Sequence, residues 1–289
     1  MGKIGLDNGK ICTRRYNDGS TIAYLDYTAR GPAWWVRRGA LREYLLQAAK
    51  ARGVRILEGS KVVSVDLDRP AVTLQNGQRL EANLLIGADG TWSRVRQTMF
   101  PDYKTKTLDV AVFQISLDLQ QVQQDETLSQ LLDGPSHIVL TTGPGLSIFA
   151  SPVPSTNGFD IQLFDHDYPP SNDPIPSRNN EWMTDLTALR ERFKDFHPAV
   201  GKALAIADKA HKWRLSTNAD VPRWFHENGK VVLIGDAVHG MVPFSGQGSA
   251  MAFEDADILT CLLANAGKGD SLVPKLRCSS RFGGRRWKR

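Results

Sequence analysis

The sequence predicts an α/β fold in which one domain is split by an inserted, mostly antiparallel β-sheet. Two short apolar runs, residues 84–86 and 231–234, predict strands that are buried on both faces. Four segments between them have strand composition and are separated by turns: 110–119, 137–142, 146–153 and 159–164. Sheet pieces on both sides of the insert favour one split domain over two domains in series. We therefore expect residues 1–106 and 211–276 to form the α/β domain and residues 107–210 the sheet domain.

The first part of the chain combines one helix with several short strands. Residues 38–52 carry apolar side chains at helical spacing, and Gly53 stands where a helix C-cap belongs. Strands are predicted at residues 21–25, 54–57, 61–67, 72–74 and 79–82. Asn76-Gly77 separates the last two strands and predicts a tight hairpin.

The second part of the chain is predicted to be richer in helix. Helices are expected at residues 182–196, 199–210 and 249–264, and another begins near residue 272. The Pro-, Ser- and Asn-rich stretch 169–180 predicts a loop.

Composition limits the classes of protein to consider. The 289 residues are 41% hydrophobic and carry a net charge of +5, which fits a globular protein. Basic residues within 281–289 contribute to that charge. The segment 277–289 has no periodicity, which predicts a solvated, disordered end. We expect no nucleic-acid partner, and no transmembrane helix because no apolar run reaches about 18 residues. Three sparse cysteines argue against disulfides or zinc and favour a reducing, cytoplasmic location.

The segment 231–264 has the strongest chemical signal in the chain. A buried strand delivers Gly235-Asp236 at its carboxyl end, where open α/β sheets bind ligands. The Asp236 carboxylate can accept hydrogen bonds from ligand hydroxyls. Gly246 and Gly248 allow close backbone approach to a flat ring, and the amides that begin the next helix favour negative charge.

A second strand-turn-helix segment, residues 84–96, has the same layout. Asp89 and Gly90 end its buried strand, and Ser93 or Thr91 is a candidate cap for the following helix. A third and weaker signal is Arg38, three residues before Leu41, although Arg37 is a neighbouring candidate for the same role.

Together these segments resemble the fingerprints of the aromatic-hydroxylase flavoproteins, which include salicylate-hydroxylase-like FAD-dependent monooxygenases. The shared residues of the later fingerprint are Gly235, Asp236, Ala237, His239, Pro243, Gly246, Gln247, Gly248, Glu254, Asp255 and Ala256. Those of the earlier one are Gly87, Ala88, Asp89, Gly90, Ser93, Val95 and Arg96. The resemblance spans roughly residues 20–276. It implies that FAD contacts lie at Arg38, Asp89, Gly90, Asp236, Pro243, Gly246, Gln247, Gly248 and Ser249.

The resemblance implies a reaction as well as a cofactor. NAD(P)H would reduce FAD, and O2 would then deliver an oxygen atom to an aromatic or other unsaturated small molecule, which is hydroxylated or epoxidised. The sheet of residues 107–210 would contact that substrate. The sequence leaves open the identity of the substrate, the choice between NADH and NADPH, and the oligomeric state.

The sequence departs from the family pattern near its beginning. No G-x-G-x-x-G motif precedes Gly87, and the resemblance therefore implies an α/β domain that lacks its first βαβ dinucleotide-binding unit. The alternative function is accordingly a catalytically inactive remnant with weak or no FAD binding.

Two further groups of residues allow a structural and a chemical interpretation. His239 fits a hydrogen-bonded role in the turn after residue 234, and general-base chemistry is the alternative. Asp165, His166 and Asp167 have the composition of a metal site, but a solvated loop is the preferred interpretation.

Overall fold

The chain forms two compact units. The computed structural model describes residues 5–7, 9–26, 34–134, 138–169, 181–267 and 273–276. One unit, here called the sheet unit, comprises Met1–Ile56 and Asp109–Leu215. The other, called the motif unit because it contains both glycine-rich segments, comprises Leu57–Leu108 and Ser216–Arg289.

An eight-stranded sheet forms the centre of the sheet unit. Its strands are β2 (Lys10–Arg15), β3 (Thr21–Asp26), β9 (Thr105–Asp118), β10 (Ile138–Gly143), β11 (Leu146–Val153), β12 (Gly158–Asp165), β13 (Glu181–Met183) and β14 (Ala210–Asn218). Their order is β13-β14-β9-β12-β11-β10-β2-β3. Strand β12 pairs antiparallel with β9 and β11, whereas β10 and β2 run parallel. The predicted antiparallel insert is confirmed, and β2 and β3 join it from the N-terminal part of the chain.

One face of this sheet packs against three helices to form the largest core of the described residues. The helices are α3 (Leu119–Gln124), α4 (Thr187–Arg192) and α5 (Pro198–Ile206). Alternate residues of β9, from Ala111 to Leu117, enter this core because side chains of a strand point to opposite faces in turn. Phe159 on β12 is fully buried there.

Helix α1 (Arg38–Ala51) confirms the predicted helix of residues 38–52. Gly53 follows it with φ +75°, the left-handed conformation expected of a C-terminal cap. The residue before the helix, Arg37, donates two hydrogen bonds to the Asp160 carboxylate of β12, at 2.8 and 3.3 Å. The sheet unit also contains a small pair formed by β1 (Gly5–Asp7) and β4 (Trp34–Val36).

The motif unit contains two small sheets. Strands β5 (Val62–Asp66), β6 (Ala71–Leu74) and β7 (Arg79–Glu81) are antiparallel, and the hairpin predicted at Asn76-Gly77 is confirmed, with Gly77 at φ +83°. Strands β8 (Leu85–Gly87) and β15 (Val231–Leu233) pair in parallel. The helices are α2 (Arg94–Met99), α6 (Asp236–His239) and α7 (Gly248–Ala264).

Several predictions of secondary structure were wrong. Residues 54–57 form no strand, and the range 182–196 is helical only at α4, because Trp182 lies in β13 and contacts the His211 ring. The helix predicted for 199–210 ends at Ile206, and Ala210 begins β14, which the sequence analysis missed. At β13 and β14, strand pairing decided the conformation of short segments whose local pattern also fits a helix.

The strand predicted at residues 84–86 is present as β8 but is not buried on both faces. Ile86 is 41% exposed, whereas all three residues of β15 are buried. Among the described residues β15 is the one sheet neighbour of β8, so the other edge of β8 is unpaired there.

Other sequence predictions concern residues that the structure describes only in part. Residues 170–180 of the predicted loop and the tail 277–289 lie outside the described residues, and residues 273–276 are helical as expected. Cys12 and Cys261 are free thiols. Within the described ranges, no helix has both the length and the apolar character needed to cross a membrane.

Candidate cofactor site

Parallel pairing brings the two glycine-rich turns to the same edge of a sheet. Leu233 lies opposite Gly87, and the Ile234 N–H donates to the Gly87 carbonyl at 3.0 Å. A Cβ added to Gly87 would lie 2.8 Å from side-chain atoms of both Leu233 and Val95, so only glycine fits between them. Since both strands end here, the turns that follow them are neighbours.

The turn after β8 is fixed by its own polar side chains. The Asp89 carboxylate accepts the N–H groups of Arg94 and Val95 at 2.7 and 3.3 Å, and Ser93 Oγ accepts the Arg96 N–H at 2.9 Å. Of the two candidate caps, Ser93 and Thr91, it is Ser93 that caps the helix. Gly90 has φ +77°, and apart from Gly90 and its two chain neighbours no atom of the described residues lies within 4 Å of the position that a Cβ would occupy there. This turn presents bare backbone to open space.

Arg96 connects the two turns through backbone carbonyls. Its side chain is fully buried and donates to the carbonyls of Ala237 and Thr91, each at 2.7 Å, and to Thr105 Oγ1 at 2.6 Å. Burial lowers the pKa of Arg96, but arginine keeps its charge under these conditions. In the sequence, Arg96 belongs to the matched motif but has no predicted role. An arginine that follows Ser93 and Val95 in this motif was the available signal.

The turn after β15 has a conformation that only glycine adopts readily. Gly235 has φ +58° and ψ −145°, and its N–H donates to Asp255 Oδ2 on α7 at 2.7 Å. Asp236 follows as the first residue of α6, and Asn218 Nδ2 donates to its backbone carbonyl at 2.8 Å. The Asp236 side chain is exposed, and its carboxylate has no hydrogen-bond partner among the described residues.

The loop that leads into α7 is open to solvent. Pro243 begins a single 3₁₀ turn, and Gly246 follows it with φ +64°. In the described parts of the chain, no atom beyond its two neighbours lies within 4 Å of its Cβ position. Gln247 precedes α7 without a side-chain cap, so amides of the first turn, beginning with Gly248 and Ser249, keep free N–H groups. The Cβ position of Gly248 lies 3.9 Å from Asp236 Oδ1. A carboxylate and free amides therefore face the same open region.

His239 is held by hydrogen bonding in the same turn. Its Nε2 lies 2.6 Å from Asp255 Oδ2, and its ring centroid is 5.7 Å from that of Trp224. The hydrogen-bonded role considered for His239 agrees with this contact. General-base chemistry at Nε2 would compete with it.

The remaining predicted residues lie in the sheet unit. The Arg38 side chain is exposed and makes no hydrogen bond within the described residues, whereas the Arg37 side chain pairs with Asp160. Asp165 was expected in a solvated loop, but it ends β12 in a buried position and pairs with Arg192 through two contacts of 2.9 Å. No group of three potential metal ligands occurs in the described parts of the chain.

Most of the predicted cofactor residues therefore come together in the motif unit. They are Asp89, Gly90, Asp236, Pro243, Gly246, Gln247, Gly248 and Ser249. Exposed backbone at Gly246, open space at the Cβ position of the half-buried Gly90, and a carboxylate without a partner among the described residues suit a ligand that combines a flat ring, hydroxyl groups and a polar ring edge. FAD has these features, and the residues present fit it.

Comparison with known proteins is consistent with this geometry. The family model for the FAD binding domain matches residues 14–276. Among curated proteins, the FAD-dependent monooxygenase OpS4 of Beauveria bassiana is 29% identical over 276 residues, which are 91% of this chain and 62% of the relative. The 6-hydroxynicotinate 3-monooxygenase of Bordetella bronchiseptica is 30% identical over 78% of this chain and 56% of the relative.

Solved structures share the fold. Klebsiella pneumoniae HpxO complexed with FAD and uric acid superposes with a TM-score of 0.73 at 22% identity, covering 96% of this chain and 68% of that one. At this identity the likeness concerns the fold alone. The chain spans about three fifths of the length of the first curated relatives it matches, at 62%, 58% and 61%.

Proposed function

Because the chain belongs to the FAD binding domain family, we propose that it is an FAD-dependent monooxygenase whose motif unit holds the flavin. The observation that carries the proposal is the Asp236 carboxylate, which is exposed and lies beside Gly248 at the start of α7. A carboxylate without a protein partner at the carboxyl edge of a parallel sheet is suited to ligand hydroxyls.

Each part of this site would have a distinct task in binding FAD. Asp236 would accept hydrogen bonds from the ribityl hydroxyls. Gly246, Gln247 and Gly248 would lie against the ring system, and the free N–H groups of Gly248 and Ser249 would stabilise negative charge at its edge. Pro243 would set the direction of the loop.

The earlier turn and α1 would support the cofactor from other positions. Asp89 fixes the backbone of its own turn, and Gly90 leaves that backbone accessible. Arg38 would supply a positive charge, since Arg37 already pairs with Asp160. We assign the substrate-contacting surface to the sheet of residues 107–210.

The chemistry divides between the cofactor and the chain. Bound FAD supplies electron transfer from NAD(P)H and activation of O2, while the protein contributes binding, orientation and exclusion of water. Overall, NAD(P)H, a proton, O2 and a substrate C–H would give NAD(P)⁺, water and C–OH. With an alkene substrate, the same oxygen atom would form an epoxide.

Named activities of the relatives indicate the class of substrate. The Bordetella relative is named for a hydroxylated pyridine carboxylate, and another relative, 29% identical over 77% of this chain, is named zeaxanthin epoxidase. An aromatic or otherwise unsaturated small molecule is therefore the proposed substrate class. The free thiols Cys12 and Cys261 suit the proposed cytoplasmic location.

Titration of the purified protein with FAD tests the proposal directly. We expect saturable quenching of flavin fluorescence, and a decrease in affinity of about 10- to 100-fold in Asp236→Ala, because hydrogen bonds to a charged group contribute roughly 1.5–3 kcal/mol. The exposed Asp220 is the matched control, and Asp220→Ala should bind as the wild type does. With FAD bound, NAD(P)H-dependent incorporation of ¹⁸O from O2 into an aromatic probe such as 6-hydroxynicotinate tests the reaction. A folded wild-type protein that does not bind FAD would instead support an inactive remnant.

A further inference from the structure

One carboxylate oxygen on α7 holds both ends of the short helix α6. Asp255 Oδ2 lies 2.7 Å from the Gly235 nitrogen, immediately before α6, and 2.6 Å from Nε2 of His239, the last residue of α6. The side chains of His239 and Asp255 are only 12% and 9% exposed. Short hydrogen bonds to a buried, charged acceptor are among the stronger contacts in a protein.

The direction of these hydrogen bonds follows from the atoms involved. An ionised carboxylate only accepts, so the Gly235 N–H and the His239 Nε2–H both donate to Oδ2. His239 Nδ1 is buried and has no hydrogen-bond partner in the described structure. Asp255 is therefore the polar group that fixes the orientation of the imidazole, and the Trp224 ring packs beside it.

The turn needs such external support because its backbone conformation is unusual. Gly235 has φ +58° and ψ −145°, a region that carries conformational strain and persists only when the surroundings enforce it. Its Cβ position lies 3.4 Å from Ala252 Cβ, so the turn also packs closely on α7. Asp255 holds this turn through the amide on one side and through His239 on the other.

We propose that Asp255 and His239 are positioning residues that align Asp236 with the first amides of α7. Asp236 is the first residue of α6 and Gly248 is the first of α7, so the two parts of the cofactor site lie on the two helices that Asp255 connects. Neither His239 nor Asp255 needs to touch the ligand in this arrangement. The inference rests on the proposed binding of FAD by these turns.

Substitutions at the two residues test this role. Asp255→Asn retains the shape of the side chain but loses the charge, so both hydrogen bonds to this residue become weaker. His239→Gln can place an amide nitrogen near the original Nε2 position, whereas the shorter His239→Asn cannot. The matched control is Asp257→Asn, which removes the same charge from an exposed position on the same helix.

The expected results separate positioning from general stabilisation. At a temperature where every variant is folded, Asp255→Asn and His239→Asn should weaken FAD binding by at least about tenfold. His239→Gln should recover much of this loss, and Asp257→Asn should stay within about twofold of the wild type. At saturating FAD, the visible circular dichroism of the bound flavin should change in Asp255→Asn, because the ring environment is altered. A purely structural role would lower thermal stability and leave that spectrum unchanged.

The failures of the two proposals differ from one another. A wild-type protein that does not bind FAD overturns the proposed function and this inference with it. If the wild type binds FAD and Asp255→Asn binds it equally tightly, with the same flavin spectrum, only the inference is overturned. An independent check is ¹⁵N NMR of the histidine rings without FAD: we expect the His239 proton on Nε2, and a proton solely on Nδ1 would contradict the hydrogen-bond scheme.

Discussion

The sheet unit and the motif unit use their buried residues differently. In the sheet unit, one large core joins strands β9 to β12 with helices α3 to α5, and seven of the eight residues of β11 are buried. In the motif unit, two small clusters surround β8 and β15, and residues 243–247 are exposed. The sheet unit therefore contains most of the stabilising core, whereas the motif unit contains the accessible polar backbone. This is expected of a ligand site, because its backbone groups must be free to bond the ligand.

The same contrast is seen in two aspartates that each lie near the end of a strand. Asp165 ends β12, is 5% exposed and is neutralised by Arg192, and this ion pair raises the pKa of Arg192. Asp236 follows β15, is exposed and has no partner among the described residues. An aspartate at the end of a strand thus indicates a ligand site only when its carboxylate has no hydrogen-bond or ion-pair partner in the protein.

The largest expected effect on stability is in the sheet unit. Phe159 is fully buried, so Phe159→Ala should lower the free energy of unfolding by about 3–5 kcal/mol through lost burial and a new cavity. Phe253 on α7 is 46% exposed, and Phe253→Ala should cost far less. Urea denaturation followed by circular dichroism measures both. Equal losses would show that the cores of the two units do not differ as described.

A smaller effect on stability is expected at the turn before Asp236. Gly235→Ala should cost about 1–3 kcal/mol, because a side chain there is strained whatever space is available. Gly39 in α1 has no positive φ and no atom within 4 Å of its Cβ position, so Gly39→Ala should be neutral or stabilise by up to about 1 kcal/mol. Thermal unfolding of the two variants gives this comparison. A Gly235→Ala protein as stable as Gly39→Ala would remove the argument for an enforced turn.

Much of the fold was predictable from the sequence, and the exceptions have a common cause. Helices α1 and α7, the hairpin at Gly77 and the central strands of the insert follow directly from local periodicity and turn residues. The strand β14 and the pairing of β2 with β10 depend on contacts between distant segments. Short segments such as the one around Trp182 carry too little local signal to decide between helix and strand.

For the candidate site, the sequence identified residues but not their partners. Motif spacing placed Asp89, Asp236 and the Gly246–Gly248 loop correctly at strand ends and helix starts. It did not show that Arg96 bridges the two turns or that Asp255 receives two donors. The contacts of Arg96 with Ala237 and of Asp255 with Gly235 join residues 141 and 20 positions apart, so no local pattern contains them.

The next prediction uses pH to test a contact specific to the sheet unit. Lys202 and the N–H groups of Leu128 and Thr127 hold the pKa of Asp125 below its usual value, the lysine contributing most. Because the folded pKa is depressed, this stabilisation is present above about pH 4 and is lost as pH falls through the folded value. Asp125→Asn should therefore lower the urea midpoint at pH 7, and its difference from the wild type should shrink as pH falls through the folded pKa. The exposed Asp208 provides the control, and a pH-independent difference for Asp125→Asn would contradict this account.

The smallest expected effect concerns the exposed strands of the two units. Strand β3 is fully exposed and lies at the edge of the eight-stranded sheet, with Ile22 57% exposed, whereas the shorter β8 exposes Ile86 at 41%. Open edges with apolar side chains promote pairing between molecules, and an edge lysine opposes it. Ile22→Lys should therefore reduce concentration-dependent association in sedimentation velocity more than Ile86→Lys does, because the six-residue β3 offers a longer template than the three-residue β8. Both substitutions should change the free energy of unfolding by no more than about 0.5 kcal/mol, as is usual for surface positions. If Ile86→Lys had the larger effect on association, the motif unit would contain the more adhesive edge.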